Sequence, residues 1–163
     1  MLQGQMLKPG LLISLISLFV ATLPALGANE PSREILGLSL KMTREEAQKR
    51  LQEIGTFERD ERKQQQIWKV RDASLSHLII AFNKEGQMRF ITAVAREDKE
   101  ASRVPYARVG DLKKAQQAGD EAIKNFHYQW DLPAGKDSPA VQVSARGRDP
   151  KFLTTWSVKR LSD

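Results

Sequence analysis

The sequence predicts an α+β fold of two tandem units. Each is a helix (or split helix) followed by three antiparallel strands, with the helices packed on one sheet face. Two observations lead there. First, a shift of 62 residues lays Trp68 on Trp130, Val70 on Leu132, Ile79 on Val141 and Ala81 on Val143. The same shift lays Arg89-Phe90-Ile91-Thr92 on Lys151-Phe152-Leu153-Thr154, and agreement at one offset points to an internal repeat. Second, each stretch has helix-spaced apolar residues ahead of residues that alternate as strands do. The expected division is a signal peptide over 1–27, a first unit over 28–97 and a second over 98–163.

In the first unit Thr43, with Glu46 three residues on, has the spacing of a capping box. Ala47, Leu51 and Ile54 then share a face, and Gly55 suits the helix stop. The charged run from Glu58 to Gln66 reads as a loop or a frayed helix end. Strands are expected near 67–72, 76–83 and 87–96, the last two joined at Asn83-Lys84-Glu85-Gly86. In the second unit Asp111 is placed to cap a helix carrying Leu112, Ala115, Ala122 and Phe126. Gly119 lies inside it at a cost of about 1 kcal/mol relative to Ala. Strands near 127–132, 140–146 and 151–160 follow, with a turn from Gly147 to Pro150. In the last, Phe152, Thr154, Trp156 and Val158 face one way and Lys151, Thr155, Ser157 and Lys159 the other, Leu153 being the exception. Such alternation means one buried and one wet face.

The chain has 163 residues, 40% of them hydrophobic and 28% charged, enough for a folded domain with its own core. The absence of Cys excludes disulfides, thiolate nucleophiles and Cys-ligated metals, and two His leave little for a transition-metal site. No cofactor is expected. At the N-terminus Lys8 precedes the uncharged apolar run 11–23, then Pro24 and the small residues Ala25 and Gly27. That order reads as a secretory signal with cleavage expected after Gly27 or Ala28, the alternative being a retained membrane anchor. The run is short of the roughly 20 apolar residues a spanning helix needs. Cleavage removes one base and no acid, so the net charge of +6 falls by one. Mixed-sign runs such as Glu58-Arg59-Asp60-Glu61 disperse that charge, and an exported chain meets little nucleic acid. No Asn-x-Ser/Thr acceptor occurs, which favours a bacterial envelope.

Catalytic groupings do not emerge. Asp72, Ser76 and His77 are sequence neighbours at a strand turn, and triads are defined by convergence in space. His127, between Phe126 and Tyr128, reads as packing at a sheet edge. Glu45-Glu46 and Asp120-Glu121 suit the positive ends of helix dipoles. Trp68 and Trp130 read as core residues. The exposed cluster Arg146, Arg148 and Lys151, with Lys159 and Arg160 nearby, is the candidate for contacting an anionic partner.

The stretch Gly37-Leu38-Ser39-Leu40-Lys41-Met42-Thr43-Arg44-Glu45-Glu46-Ala47, closing at Leu51 and Gly55, resembles the opening Gly-…-Gly-Met-Thr-x-x-Glu/Gln-Val of a bacterial envelope superfamily. That group holds the small lipoprotein of the outer-membrane β-barrel assembly machinery and the β-lactamase inhibitor protein. The resemblance implies tandem helix-plus-sheet units and a non-enzymatic protein that acts by binding other proteins. Lys41 replaces the second Gly and the lipid-bearing Cys is missing, which speaks against the lipoprotein role, and no site residue is carried over because the motif is a helix-entry signature without chemistry of its own.

The resulting expectation is an exported, non-enzymatic binding protein of the bacterial envelope, periplasmic or extracellular. Its partner would be another envelope protein, with at most peripheral membrane contact and no nucleic acid. The alternatives are a small-ligand carrier or an envelope hydrolase with an unrecognised site.

Overall fold

A computed structural model describes residues 30–61 and 64–161. The expected signal peptide lies outside the described residues. Just inside them, two short strands, β1 (Glu34–Ile35) and β2 (Leu38–Ser39), form a hairpin through Leu36 and Gly37, both at positive φ. The hairpin drives Ile35, Leu38 and Leu40 into the core. Helix α1 (Arg44–Ile54) follows with its capping box complete. Thr43 Oγ1 accepts from Glu46 N at 3.2 Å, and Glu46 Oε2 accepts from Thr43 N at 2.8 Å. Ala47 and Leu51 are buried, as the spacing requires, and Ile54 packs against the core margin.

At Gly55 the chain passes straight from the helix into an extended strand, β3 (Gly55–Glu61). A Cβ there would collide with the Lys69 carbonyl, so close strand pairing demands glycine at this position. The run expected to be a loop is therefore a strand in its first part. All of β3 after Gly55 is exposed, and its charges suit an outer strand that must not recruit further chains. Strands β4 (Gln65–Val70), β5 (Leu75–Phe82) and β6 (Met88–Ala95) continue the meander near their expected places. Gly86, at φ 78°, closes the β5–β6 turn by donating to the Asn83 carbonyl at 3.1 Å.

The second half departs from expectation. Asp111 does cap a turn, accepting from Lys113 N at 3.0 Å, but that turn is a single 3-10 piece, Leu112–Lys114. Residues 116–117 leave it as a strand, β8, and Asp120 caps another 3-10 piece, Glu121–Ile123. Gly119 explains the loss of the helix. Its bare Cα lies where a Cβ would strike the Asn125 carbonyl and the His127 amide, so the chain doubles back there. Phe126, expected on the helix, opens β9 (Phe126–Leu132) as a buried strand residue.

Strand β10 (Val141–Gly147) comes next, but the expected final strand is two pieces, β11 (Phe152–Leu153) and β12 (Thr155–Arg160). β11 pairs not with the main sheet but with β7 (Val104–Pro105), which buries Leu153 and accounts for the break in alternation there.

The main sheet is antiparallel, in the order β3-β4-β5-β6-β12-β10-β9-β8. The predicted pair of helix-plus-three-strand units is thus corrected. The structure is mostly β, with one α-helix among the described residues and strands of both segments in a single sheet. Of the residues matched at the 62-residue offset, Trp68 and Trp130 each lie one strand in from opposite edges. The tetrapeptides do not correspond. Arg89–Thr92 lie within β6, whereas Lys151–Thr154 pass from a turn through β11.

One sheet face is covered. Cross-strand register places Trp68, Leu78, Ala93, Trp156 and Ala145 in one row and Ile80, Ile91, Val158, Val143 and Trp130 in the next. Helix α1, the β1–β2 hairpin and the segment bearing Val104, Tyr106 and Val109 bury these rows as one cluster. Polar ties lock the cover to the sheet. Gln66 Oε1 accepts from Gln48 Nε2 at 2.8 Å and from Trp68 Nε1 at 3.3 Å. Trp130 Nε1 donates to the Asp111 carbonyl at 3.0 Å, and Tyr106 Oη donates to that of Asp149 at 3.1 Å. Both indoles are core residues, as expected.

Gly147 sits against that Tyr106 hydroxyl. A Cβ at Gly147 would come within 2.5 Å of Tyr106 Oη and 2.6 Å of the Phe152 carbonyl oxygen. We predict that Gly147→Ala lowers stability by at least about 2 kcal/mol through overpacking. Gly86→Ala meets only open space and pays for its left-handed backbone, about 1 kcal/mol. Urea unfolding at constant m-value distinguishes the two.

Candidate binding face

The other face of the sheet has no covering layer among the described residues, and its side chains fall into three cross-strand rows. Gln65, Ala81, Phe90, Lys159, Gln142 and Asp131 form one. Ile67, Ile79, Thr92, Ser157, Ser144 and Gln129 form the middle row. Lys69, His77, Val94, Thr155, Arg146 and His127 form the third. Because opposite residues in an antiparallel sheet point the same way, each row is a line of neighbouring side chains.

The middle row narrows to short side chains where β6, β12 and β10 meet. Thr92 Oγ1 and Ser157 Oγ share a hydrogen bond of 2.8 Å. With Ser144 they make the floor of a groove of about 570 Å³. Phe90, Lys159 and Gln142 wall one side, Thr155 and Arg146 the other. Arg89 joins them through a β-bulge. Ala81 pairs with Phe90 and Phe82 with Met88, which leaves Arg89 as the extra residue on β6, at the groove's end.

The charge pattern is one-sided. Arg89, Arg146 and Lys159 line the groove, and among the described residues no carboxylate does. The acids on this side belong to outer strands and are engaged there. Glu58 Oε2 lies 3.2 Å from His77 Nε2, Glu61 Oε1 accepts from Arg59 Nε at 3.0 Å, and Asp131 Oδ1 accepts from Gln142 Nε2 at 3.1 Å.

The residues expected to contact an anionic partner are divided by the fold. Arg146 is on the open face. Arg148 lines a separate pocket of about 490 Å³, where Arg103, Lys124, Glu97, Glu121 and Asp149 mix both signs over Phe126 and Phe152. Lys151 is exposed on the turn that Asp149 holds, its own amide donating to Asp149 Oδ1 at 2.7 Å. Lys159 joins Arg146 in the groove. Arg160 turns to the covered side and donates to the carbonyls of Leu40 at 2.6 Å and Met88 at 2.9 Å. The cluster in sequence is therefore not a cluster in space. Thr92, Ser144, Ser157 and Phe90 were not singled out from sequence as binding residues. Their signal was present as small hydroxyl residues on the polar phase of three alternating strands.

Asp72, Ser76 and His77 do not converge. Asp72 Oδ1 accepts from the amides of Ser74 and Leu75, both at 2.8 Å, while Ser76 Oγ donates to the Val94 carbonyl at 3.2 Å. His77 instead faces Glu58. Among the described residues no three His, Asp or Glu side chains gather as metal ligands, and no helix is long and apolar enough to cross a membrane.

The fold and the groove define a mostly-β protein built on one antiparallel sheet with a covered and an uncovered face. No family model, curated protein or solved structure matches the chain.

Two groups have shifted proton affinities, Tyr106 on the covered side and His127 beside Arg146 on the open face. Burial, then Tyr128 and Asp149, pushes the Tyr106 hydroxyl up to about 12, so it stays a donor throughout the working range. Burial first, and the neighbouring Arg146 second, hold the His127 imidazole below its ordinary 6.5, and its Nε2 is buried without a hydrogen-bond partner among the described residues. The folded chain therefore takes this proton less readily than the unfolded chain. Stability is full above pH 6.5 and falls as pH drops from there toward the folded value. The urea midpoint is expected to fall between pH 7.5 and 5.5, and to fall less in His127→Gln.

Proposed function

We propose that this is an exported, non-enzymatic binding protein of the bacterial cell envelope that engages its partner through the uncovered sheet face. One observation carries the reading. A sheet of eight strands buries its apolar rows on one side only, and the other side holds a built groove of hydroxyl, cationic and aromatic side chains. A sheet kept merely for stability has no need of Phe90, Arg146 and Lys159 together on its wet face.

The signal-like N-terminus supports export, and the Gly37 to Gly55 resemblance supports an envelope protein that works by association. The engagement of Asp72, Ser76 and His77 in local contacts supports binding over hydrolysis.

In the cells that make the protein, a benzophenone side chain placed at position 157 should give a discrete ultraviolet cross-link. The same group at position 49, on the exposed side of α1, should not. Equal products from both positions, or none from position 157, would overturn the reading.

A further inference from the structure

We infer that the open face takes an acidic surface segment of a folded protein partner, its carboxylates meeting Arg146 and Lys159 and an apolar side chain meeting Phe90. This rests on the reading of that face as the binding surface. The argument begins with charge. The side chains of Arg146 and Lys159 make no hydrogen bond or ion pair to the described residues, whereas the described acids sharing the face are already engaged at its outer strands. Arg146 and Lys159, beside a groove whose described lining holds no carboxylate, create a positive potential that an incoming anion relieves.

Geometry then selects the kind of anion. Arg146 and Lys159 stand on opposite sides of the hydroxyl floor, on adjacent strands and offset by four residues along them. Their Cα atoms are therefore roughly 14 Å apart, which leaves room for a separate carboxylate at each cation. A guanidinium matches a carboxylate with two parallel hydrogen bonds, and the hydroxyls of Thr92, Ser144 and Ser157 offer donors and acceptors to a peptide backbone between the charges.

Other anionic surfaces fit less well. A flat bilayer would meet the long rim side chains before the short floor. A single-stranded nucleic acid needs successive stacking platforms. Phe90 is the one Phe, Tyr or Trp ring in the three rows, and Trp68, Trp130 and Trp156 all lie on the covered side. Six strands at 4.8 Å spacing and three rows about 7 Å apart give a footprint of roughly 600 Å² before side-chain relief. That approaches the 800 Å² or so that each partner contributes to an interface of standard size.

The test is to identify by mass spectrometry what the benzophenone at position 157 attaches to, in the full chain and in two double variants. Attachment to a protein segment rich in Asp and Glu is expected. Its yield should fall at least fivefold in Arg146→Gln/Lys159→Gln and persist in Arg146→Lys/Lys159→Arg. Thermal melts of both variants should match the parent, since both side chains are exposed. Yield should also drop as salt rises from 50 to 500 mM, as screening requires. Attachment to a neutral or basic protein segment, or undiminished yield in the Gln variant, overturns the acidic partner while leaving the binding face standing. Attachment to phospholipid or to nucleic acid overturns the protein partner. No attachment from position 157 overturns this inference together with the reading it rests on.

Discussion

The antiparallel pairing of β6 with β12 is the contact on which the rest of this structure depends. Val94 to Phe90 run against Thr155 to Lys159 in unbroken register. That ladder joins two four-stranded meanders, formed far apart in sequence, into one sheet. It also sets Ile91 opposite Val158 on the covered side and Thr92 opposite Ser157 on the other. A slip of one residue would turn Trp156 and Val158 out to solvent and bring Ser157 and Lys159 into the core. Core and groove are thus two consequences of a single register, and neither can change without the other.

Several non-local contacts hold that register. Arg160 reaches from the end of β12 to the carbonyls of Met88 and Leu40, tying the central ladder to the β1–β2 hairpin. The Thr154 amide donates to the Arg146 carbonyl at 2.7 Å, and the Thr154 carbonyl accepts from Ala95 N at 2.8 Å. The break before β12 is therefore hydrogen-bonded on both sides. Trp156 packs beneath this region, with its Nε1 buried and without a partner among the described residues. An orphaned indole N–H costs on the order of 1–3 kcal/mol, less than the loss of so large a buried ring would cost.

The uncovered face follows from how the covering material is distributed. Helix α1, the β1–β2 hairpin and the segment around residues 104–109 all pack on the same side. The alternation of the strands is consistent with this, since their other phase carries Thr, Ser, Gln, Lys and Arg around a smaller apolar patch of Ile67, Ile79, Ala81, Phe90 and Val94. Such a face stays in solution because it is mostly polar, yet it is not inert. Its long cationic side chains flank short hydroxyls, and shape and charge therefore vary together across it.

Local features were legible in the sequence because their causes are local. The capping box at Thr43, the turn at Gly86, the alternation of β6 and β12 and the burial of Trp68 and Trp130 each follow from residues a few positions apart. The second helix was misread because its apolar spacing ignored the close backbone approach at Gly119. β3 was missed because an outer strand needs no buried face to mark it. What only the tertiary structure decided is which strands become neighbours. Pairing β12 with both β6 and β10 sets Phe90, Lys159 and Arg146 around one groove, while β10 ends at Gly147 and leaves Arg148 and Lys151 beyond it, and Arg160 turns inward. Strand order depends on contacts dozens of residues apart, and these leave no period or spacing along the chain for a sequence to display.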